Sequence, residues 1–168
     1  LLSYVEKPFT REASFNFDLF KEHVAKAMHL MDDIIDLELE KVELIIGKIA
    51  SDPEDDDVRR VELELWRKIK DMALKGRRTG LGITAEGDML AALGLRYGSD
   101  EAIDFAVKVH KTLAVEAYRA SVMMAKERGA FGVFNFEKEQ NNPMIKRILA
   151  EAPELEELMR EYGRRNIA

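Results

Sequence analysis

The chain of 168 residues contains no cysteine. That absence excludes disulfide staples, thiolate metal sites and cysteine nucleophiles together. Only four prolines and ten glycines interrupt it, which leaves room for long unbroken helices. No apolar run approaches the roughly 20 residues needed to span a bilayer. The opening stretch LLSYVEKPFTREAS lacks the basic start, apolar middle and small-residue cleavage site of a signal peptide. A cytoplasmic location is expected by default, with no membrane partner. A basic surplus is missing too: 26 Lys and Arg face 32 Asp and Glu, for a net charge of -6. Binding to a nucleic-acid backbone is therefore not expected.

What remains is ordinary for a soluble, helix-rich protein: 46% hydrophobic and 35% charged residues, in a chain long enough for one sizeable core. No internal repeat, linker or low-complexity tract divides it, so residues 1–168 read as a single helical unit. Leu1 to Ser14 reads as an extended opening segment, with a turn at Pro8 and Thr10. Asn16 is placed to cap a long helix whose apolar residues, from Phe17 and Phe20 through Val24 and Met31 to Ile49, follow the 3–4 spacing of a buried stripe. Ser51-Asp52-Pro53 stops that helix and starts another, whose stripe is Val58, Val61, Leu65, Ile69 and Met72, with Trp66 beside it. The two can form an antiparallel helical hairpin. Ser99 caps a further long helix to about Arg128, stopped by Gly129. Its apolar positions cover more than the stripe one neighbour requires, predicting cover on two sides and, for the chain alone, self-association through this helix. Short helices follow Asn142-Pro143 and Pro153.

Candidate sites are few. His23, His29 and the group Asp32, Asp33, Asp36 invite a metal reading, but a di-iron bundle wants a Glu three residues before a His. The residues three before His23, His29 and His110 are Phe20, Lys26 and Val107. The carboxylates read instead as a solvated helical face. The acidic run Glu54 to Asp57 lacks the Gly and alternating ligands of a calcium loop and reads as a helix start. Arg77 and Arg78 suit a helix C-terminus or a phosphate.

Helical periodicity breaks only once at length, in GRRTGLGITAEGDMLAALGLRYG, Gly76 to Gly98. Thr79 to Thr84 is short and β-branched enough for one buried strand. Thr84 can cap a short helix from Glu86 to Leu93, which Gly94 ends in a left-handed conformation. Gly80-Leu81-Gly82 is two-thirds of a dinucleotide fingerprint whose third position is Ala85, but no further βαβ unit follows. Close backbone packing inside a larger sheet explains the paired glycines equally well. The fold class expected is mainly α, with one or two short strands.

The run RRTGLGITAEGDMLAALGLRYGSDEA resembles a segment of the catalytic subunit of ribonucleotide reductase, most closely the adenosylcobalamin-dependent class II branch. HLMDDIIDLELEKVELI upstream, and EAYRASVMMAKERGAFGVF and YGRRNIA downstream, agree with it. The turn Thr84-Ala85-Glu86-Gly87-Asp88 keeps Asp88 but departs from the family's Gly-Leu-Ala-Asp. The resemblance implies a fragment of a ten-stranded α/β barrel, with Thr79 to Thr84 as one barrel strand and the helices as outer wall. It implies ribonucleotide substrates and adenosylcobalamin for the parent enzyme, by radical chemistry on cysteines. Since this chain has none, the fragment alone is expected to be inactive, and no catalytic, cofactor-binding or metal-binding residue is assigned to it. A class I large subunit, and a free-standing helical interaction module, remain alternatives.

Overall fold

A computed structural model describes residues 1–167. Its backbone is dominated by seven helices: α1 (Phe17–Ala50), α2 (Asp56–Gly76), α3 (Glu86–Ala92), α4 (Asp100–Arg128), α5 (Phe136–Glu139), α6 (Pro143–Glu151) and α7 (Leu155–Tyr162). Their ends follow local chemistry. The Asn16 side chain accepts the Leu19 amide at 2.9 Å to open α1, and Ser99 accepts that of Ala102 at 3.3 Å to open α4. Each satisfies one amide that the first turn leaves without a carbonyl. Gly129, at φ 84, follows the last turn of α4.

α1 runs unbroken through Gly47 for 34 residues, about 50 Å. Its two halves have different neighbours. The first half lies parallel to α4: the Phe17 and Phe105 rings meet at 6.0 Å near one end, and Arg128 reaches Asp33 at 2.8 Å near the other. The second half pairs with α2, which returns antiparallel from Asp52, where Arg59 donates to the carbonyl at 2.8 Å. An ion pair of Lys70 with Glu43 follows midway, and one of Arg77 with Asp36 at the base, at 2.8 Å. α2 has no comparable packing with any other described element, so this hairpin forms an arm.

α4 separates two cores. On one side Val109, Ala117 and Met124 pack with Phe20, Val24 and Met28 of α1 and with Met89 and Leu90 of α3. On the other, Val115, Tyr118 and Val122 meet Ile145, Ile148, Leu155 and Met159 of α6 and α7. The two-sided cover expected of α4 comes from this chain's own helices, leaving only Ile103, Val107 and Met123 exposed among its large apolar residues. That remnant is too small for the association face expected there.

Four expectations need correction. Thr79 to Thr84 has no regular secondary structure, because it has no ladder partner among the described residues; the one bridge nearby, Arg78 with Ile167 in parallel, lies just before it. The strands lie instead in the opening segment, where β1 (Val5–Glu6) pairs antiparallel with β2 (Ser14–Phe15). Thr84 does not cap α3: Ala85 takes the cap position at φ 61, without a side-chain bond. Finally, α2 starts at Asp56, capped by Asp55, and its stripe of Val58, Val61, Leu65, Ile69 and Met72 faces outward. Leu63, Trp66 and Ala73 are more buried than that row.

Candidate functional site

Asp32 sits one turn after Met28 and one before Ile35, on the stripe of α1 that faces inward, and is fully buried. A carboxylate there needs several donors to replace water. Arg77 Nε and Nη2 donate to its Oδ1 at 2.9 and 2.6 Å, and Asn166 Nδ2 donates to the same oxygen at 2.8 Å. Arg128 Nη1 and Arg165 Nε reach Oδ2, each at 3.1 Å. Asp36 takes a second bond from Arg77 and Asp33 one from Arg128. Three carboxylates thus balance three guanidinium groups.

Burial alone would push the Asp32 carboxyl up, but hydrogen bonds from Arg77, Asn166 and Arg165 outweigh it and hold the group below the usual carboxylate range. Arg77 mirrors this. Burial works against its charge, while the bonds to Asp36 and Asp32 hold its proton more tightly than usual. Asp32 therefore stays ionised at neutral pH, without a proton to give or room to accept one. Its chemistry is to hold the chain, not to transform a substrate.

What it holds is the segment Gly163 to Ile167. Arg165 also donates to the carbonyls of Arg128 and Gly129 at the end of α4, at 3.0 and 3.2 Å. The amides of Arg165 and Asn166 bond to Ser121. Arg164 stacks over the Tyr118 ring and reaches Glu139 at 2.5 Å. Gly163, at φ 76, is the hinge into this segment, and a Cβ there would lie 2.7 Å from that of Ala130. These bonds bring Ile167 beside the stretch from Thr79 to Thr84, where its carbonyl accepts the Thr79 amide at 2.9 Å and its amide donates to Gly76 at 3.3 Å. The two segments run parallel. Arg77, the pivot, adopts φ 41, a left-handed conformation unusual for a non-glycine residue.

Several sequence candidates fall elsewhere. Asp32, Asp33 and Asp36 do converge, within 4.8 Å of one another, and form the only group of potential metal ligands of that size among the described residues. The three arginines meet their charge; Asp32 departs from the solvated face expected of it by being buried, whereas Asp33 and Asp36 keep about half of their side chains exposed. Arg77 is committed to Asp32 and Asp36, which removes it from the phosphate reading, while Arg78 is exposed. The histidines are not brought together: His23 bonds Tyr4 at 3.2 Å and His110 approaches Glu86 at 3.4 Å. Asp88 is exposed in the first turn of α3. Nothing in this chain stands within 4 Å of a Cβ built on Gly80 or Gly82. A cavity of about 490 Å³ lies beside Thr79, Gly80 and Leu81, walled by Met28, Leu113 and Met144.

Across all 168 residues the chain matches the family described as ribonucleotide reductase, barrel domain. The chain belongs to that family. Among ribonucleotide reductases it is 37% identical to the vitamin B12-dependent ribonucleoside-diphosphate reductase of Mycobacterium tuberculosis over 79 residues, 47% of this chain and 11% of that protein. It is 30% identical over 116 residues to the enzyme of the same description from Thermoplasma acidophilum, covering 69% of this chain and 12% of the relative. A match to the ribonucleoside-diphosphate reductase subunit alpha of Chlamydia muridarum extends over 159 residues and 82% of this chain, at 24% identity and 15% of the relative. The chain thus spans only 11% to 15% of the length of these reductases. No described helix is long and apolar enough to cross a membrane. The cavities beside the stretch from Thr79 to Thr84, about 260 and 490 Å³, have the size of a small-ligand pocket at most, whereas a corrinoid with its nucleotide tail is several times larger. These residues alone do not fit adenosylcobalamin.

Proposed function

We propose that the chain is a wall segment of a ribonucleotide reductase barrel whose parent converts ribonucleotides to deoxyribonucleotides with adenosylcobalamin. The observation that carries this is the barrel-domain match over residues 1–168, joined to relatives described as vitamin B12-dependent. Within the parent, residues 1–168 act as one helical unit in the cytoplasm, with ribonucleotide and cobalamin held elsewhere. The Asp32 cluster sets the parallel register between Gly76–Thr79 and Asn166–Ile167, so that the stretch Thr79 to Thr84 is offered as a barrel strand. The chain assigns no catalytic, cofactor or metal residue of its own, and with no cysteine it carries no thiol for radical or dithiol chemistry. Alone, it self-associates.

A class I large subunit is the second reading, favoured by the long match to a Chlamydia alpha subunit. Purified full-length protein containing this segment decides between them: turnover that requires adenosylcobalamin supports the first, and turnover that requires a separate radical-bearing subunit supports the second. The 168-residue chain, given ribonucleoside diphosphate or triphosphate, adenosylcobalamin and a dithiol, is expected to show no turnover. Product formation above the no-protein control would overturn the fragment reading.

A further inference from the structure

Among the large apolar side chains of the described residues, the two most exposed are aromatic, Tyr97 at 82% and Phe9 at 74%. Isolated exposed apolar residues are ordinary, but these two are held in place. The turn from Lys7 to Ala13, between β1 and β2, is fixed by its own bonds. The Thr10 hydroxyl donates to the Lys7 carbonyl at 2.7 Å, the Glu12 amide donates to that hydroxyl at 3.2 Å, and Lys7 pairs with Glu12. The turn is also tied to the last residue of α3, where the Phe9 amide donates to the Ala92 carbonyl at 2.8 Å. Lys7 and Phe9 are left-handed, at φ 46 and 62, which costs free energy in any residue with a Cβ and which asparagine or glycine would ease. The result is a phenyl ring in water, and such a ring offsets none of that cost within this chain.

Tyr97 stands at the same end of α3. The amides of Gly94 and Leu95 fold back to the carbonyls of Ala91 and Leu90 at 3.0 and 2.9 Å, and the Ser99 amide closes the next turn on Arg96 at 3.0 Å, with Tyr97 inside it. The acidic residues nearby are engaged: Glu12 with Lys7, Glu6 with the Asn16 amide group at 2.7 Å, and Asp100 and Glu101 at the positive end of α4. Arg11 and Arg96 are exposed and take part in no ion pair among the described residues. Aromatic rings beside arginines are the composition of interface anchors, and unpaired guanidinium groups select an acidic counterpart. Most of a reductase lies outside this chain, which spans 11% to 15% of the length of its relatives.

We propose that Phe9 and Tyr97 dock together on one apolar, acid-rimmed surface of the parent polypeptide outside residues 1–168, fixing the α3 end of this segment to it. The proposal rests on reading the chain as part of a longer reductase. Hydroxyl-radical footprinting of the full-length protein, read by mass spectrometry, tests it with buried rings of the same type as references. Phe9 is expected to oxidise as slowly as Phe15 and Phe20, and Tyr97 as slowly as Tyr118. The exposures within this chain, 74% for Phe9 against 9% and 2%, would instead make Phe9 several-fold faster, and that result overturns the contact. Phe9→Asn removes one ring and suits the left-handed backbone, so the turn is kept. It should raise Tyr97 oxidation several-fold above that of Tyr118, and Arg11→Glu/Arg96→Glu should do the same by placing carboxylates against the acidic rim. Tyr97 still protected in either variant overturns the single acid-rimmed surface. Protection that is lost on dilution means that a second copy or a separate protein covers the rings, and the proposal is wrong. Turnover of the same protein is read separately: protected rings without turnover leave the contact standing and sink the reductase reading, and exposed rings with turnover do the reverse.

Discussion

Replacing Asp32 by Asn tests whether the cluster holds the fold together. The substitution keeps the volume, so no cavity forms, but removes the negative charge and turns one carboxylate oxygen into a donor that faces other donors. Arg77, with its side chain only 6% exposed, is left with Asp36 as its one remaining carboxylate. Arg165 is also largely buried and loses its only carboxylate, while Arg128 keeps Asp33 and is more exposed. Breaking a buried ion pair by removing one partner costs about 3–5 kcal/mol, most of it from the charge left behind. In a domain of this size each kcal/mol lowers the melting temperature by about 2–4 °C, so a fall of about 6–20 °C is expected. Thermal unfolding followed by circular dichroism at pH 7 measures it. Arg77→Met supplies the second arm of a double-mutant cycle: in the Asp32→Asn background it should cost less than in the native chain, by about 1–3 kcal/mol. A melting temperature within about 2 °C of native, with additive effects of the two substitutions, would refute the cluster as the anchor.

The same carboxylate makes stability acid-sensitive. Its folded pKa lies below the unfolded value near 3.9, so its contribution is fully present above that value and is lost as pH falls through the folded pKa. The native chain should therefore lose melting temperature below about pH 4 more steeply than Asp32→Asn, and parallel curves would count against the assignment. Gly163→Ala combines positive φ with a Cβ placed 2.7 Å from that of Ala130, whereas Gly94→Ala meets positive φ alone in open space. Denaturant titration should show about 1 kcal/mol lost at Gly94 and clearly more at Gly163, where strain and overpacking add. Equal losses would mean that the hinge packs more loosely than the structure has it.

Helix positions were legible because the signals that set them are local. Asn16, Ser99 and Gly129 act on amides and carbonyls within a few residues, and each does in the structure what its type suggests. Thr79 to Thr84 was legible as a break in helical periodicity, but the strand read there is not formed, since a strand exists only with a partner and among the described residues the bridge to Ile167 stops at Arg78. Periodicity also misassigned the faces of α2. Its richer apolar row points outward while Leu63, Trp66 and Ala73 are more buried, because a row of apolar residues records that a face is covered somewhere, not by which neighbour. Asp32 was the least legible residue of all. It occupies a position of the α1 stripe where Met28 and Ile35 are buried on either side, which is the one local sign that it is not on a solvated face. Its partners lie 45, 96 and 133 residues away in sequence, at Arg77, Arg128 and Arg165. Such a cluster cannot be read from spacing along one helix. The usable signal is joint: an acidic residue inside an apolar stripe has to be neutralised, and this chain places arginines where helices end, at the close of α2, of α4 and just after α7. Helix ends are the points at which a chain turns back on itself, so cations there can converge on a carboxylate that no local segment could satisfy. The same convergence brings Asn166 and Ile167 beside Gly76 and Thr79, and the register of the stretch that starts at Thr79 depends on it.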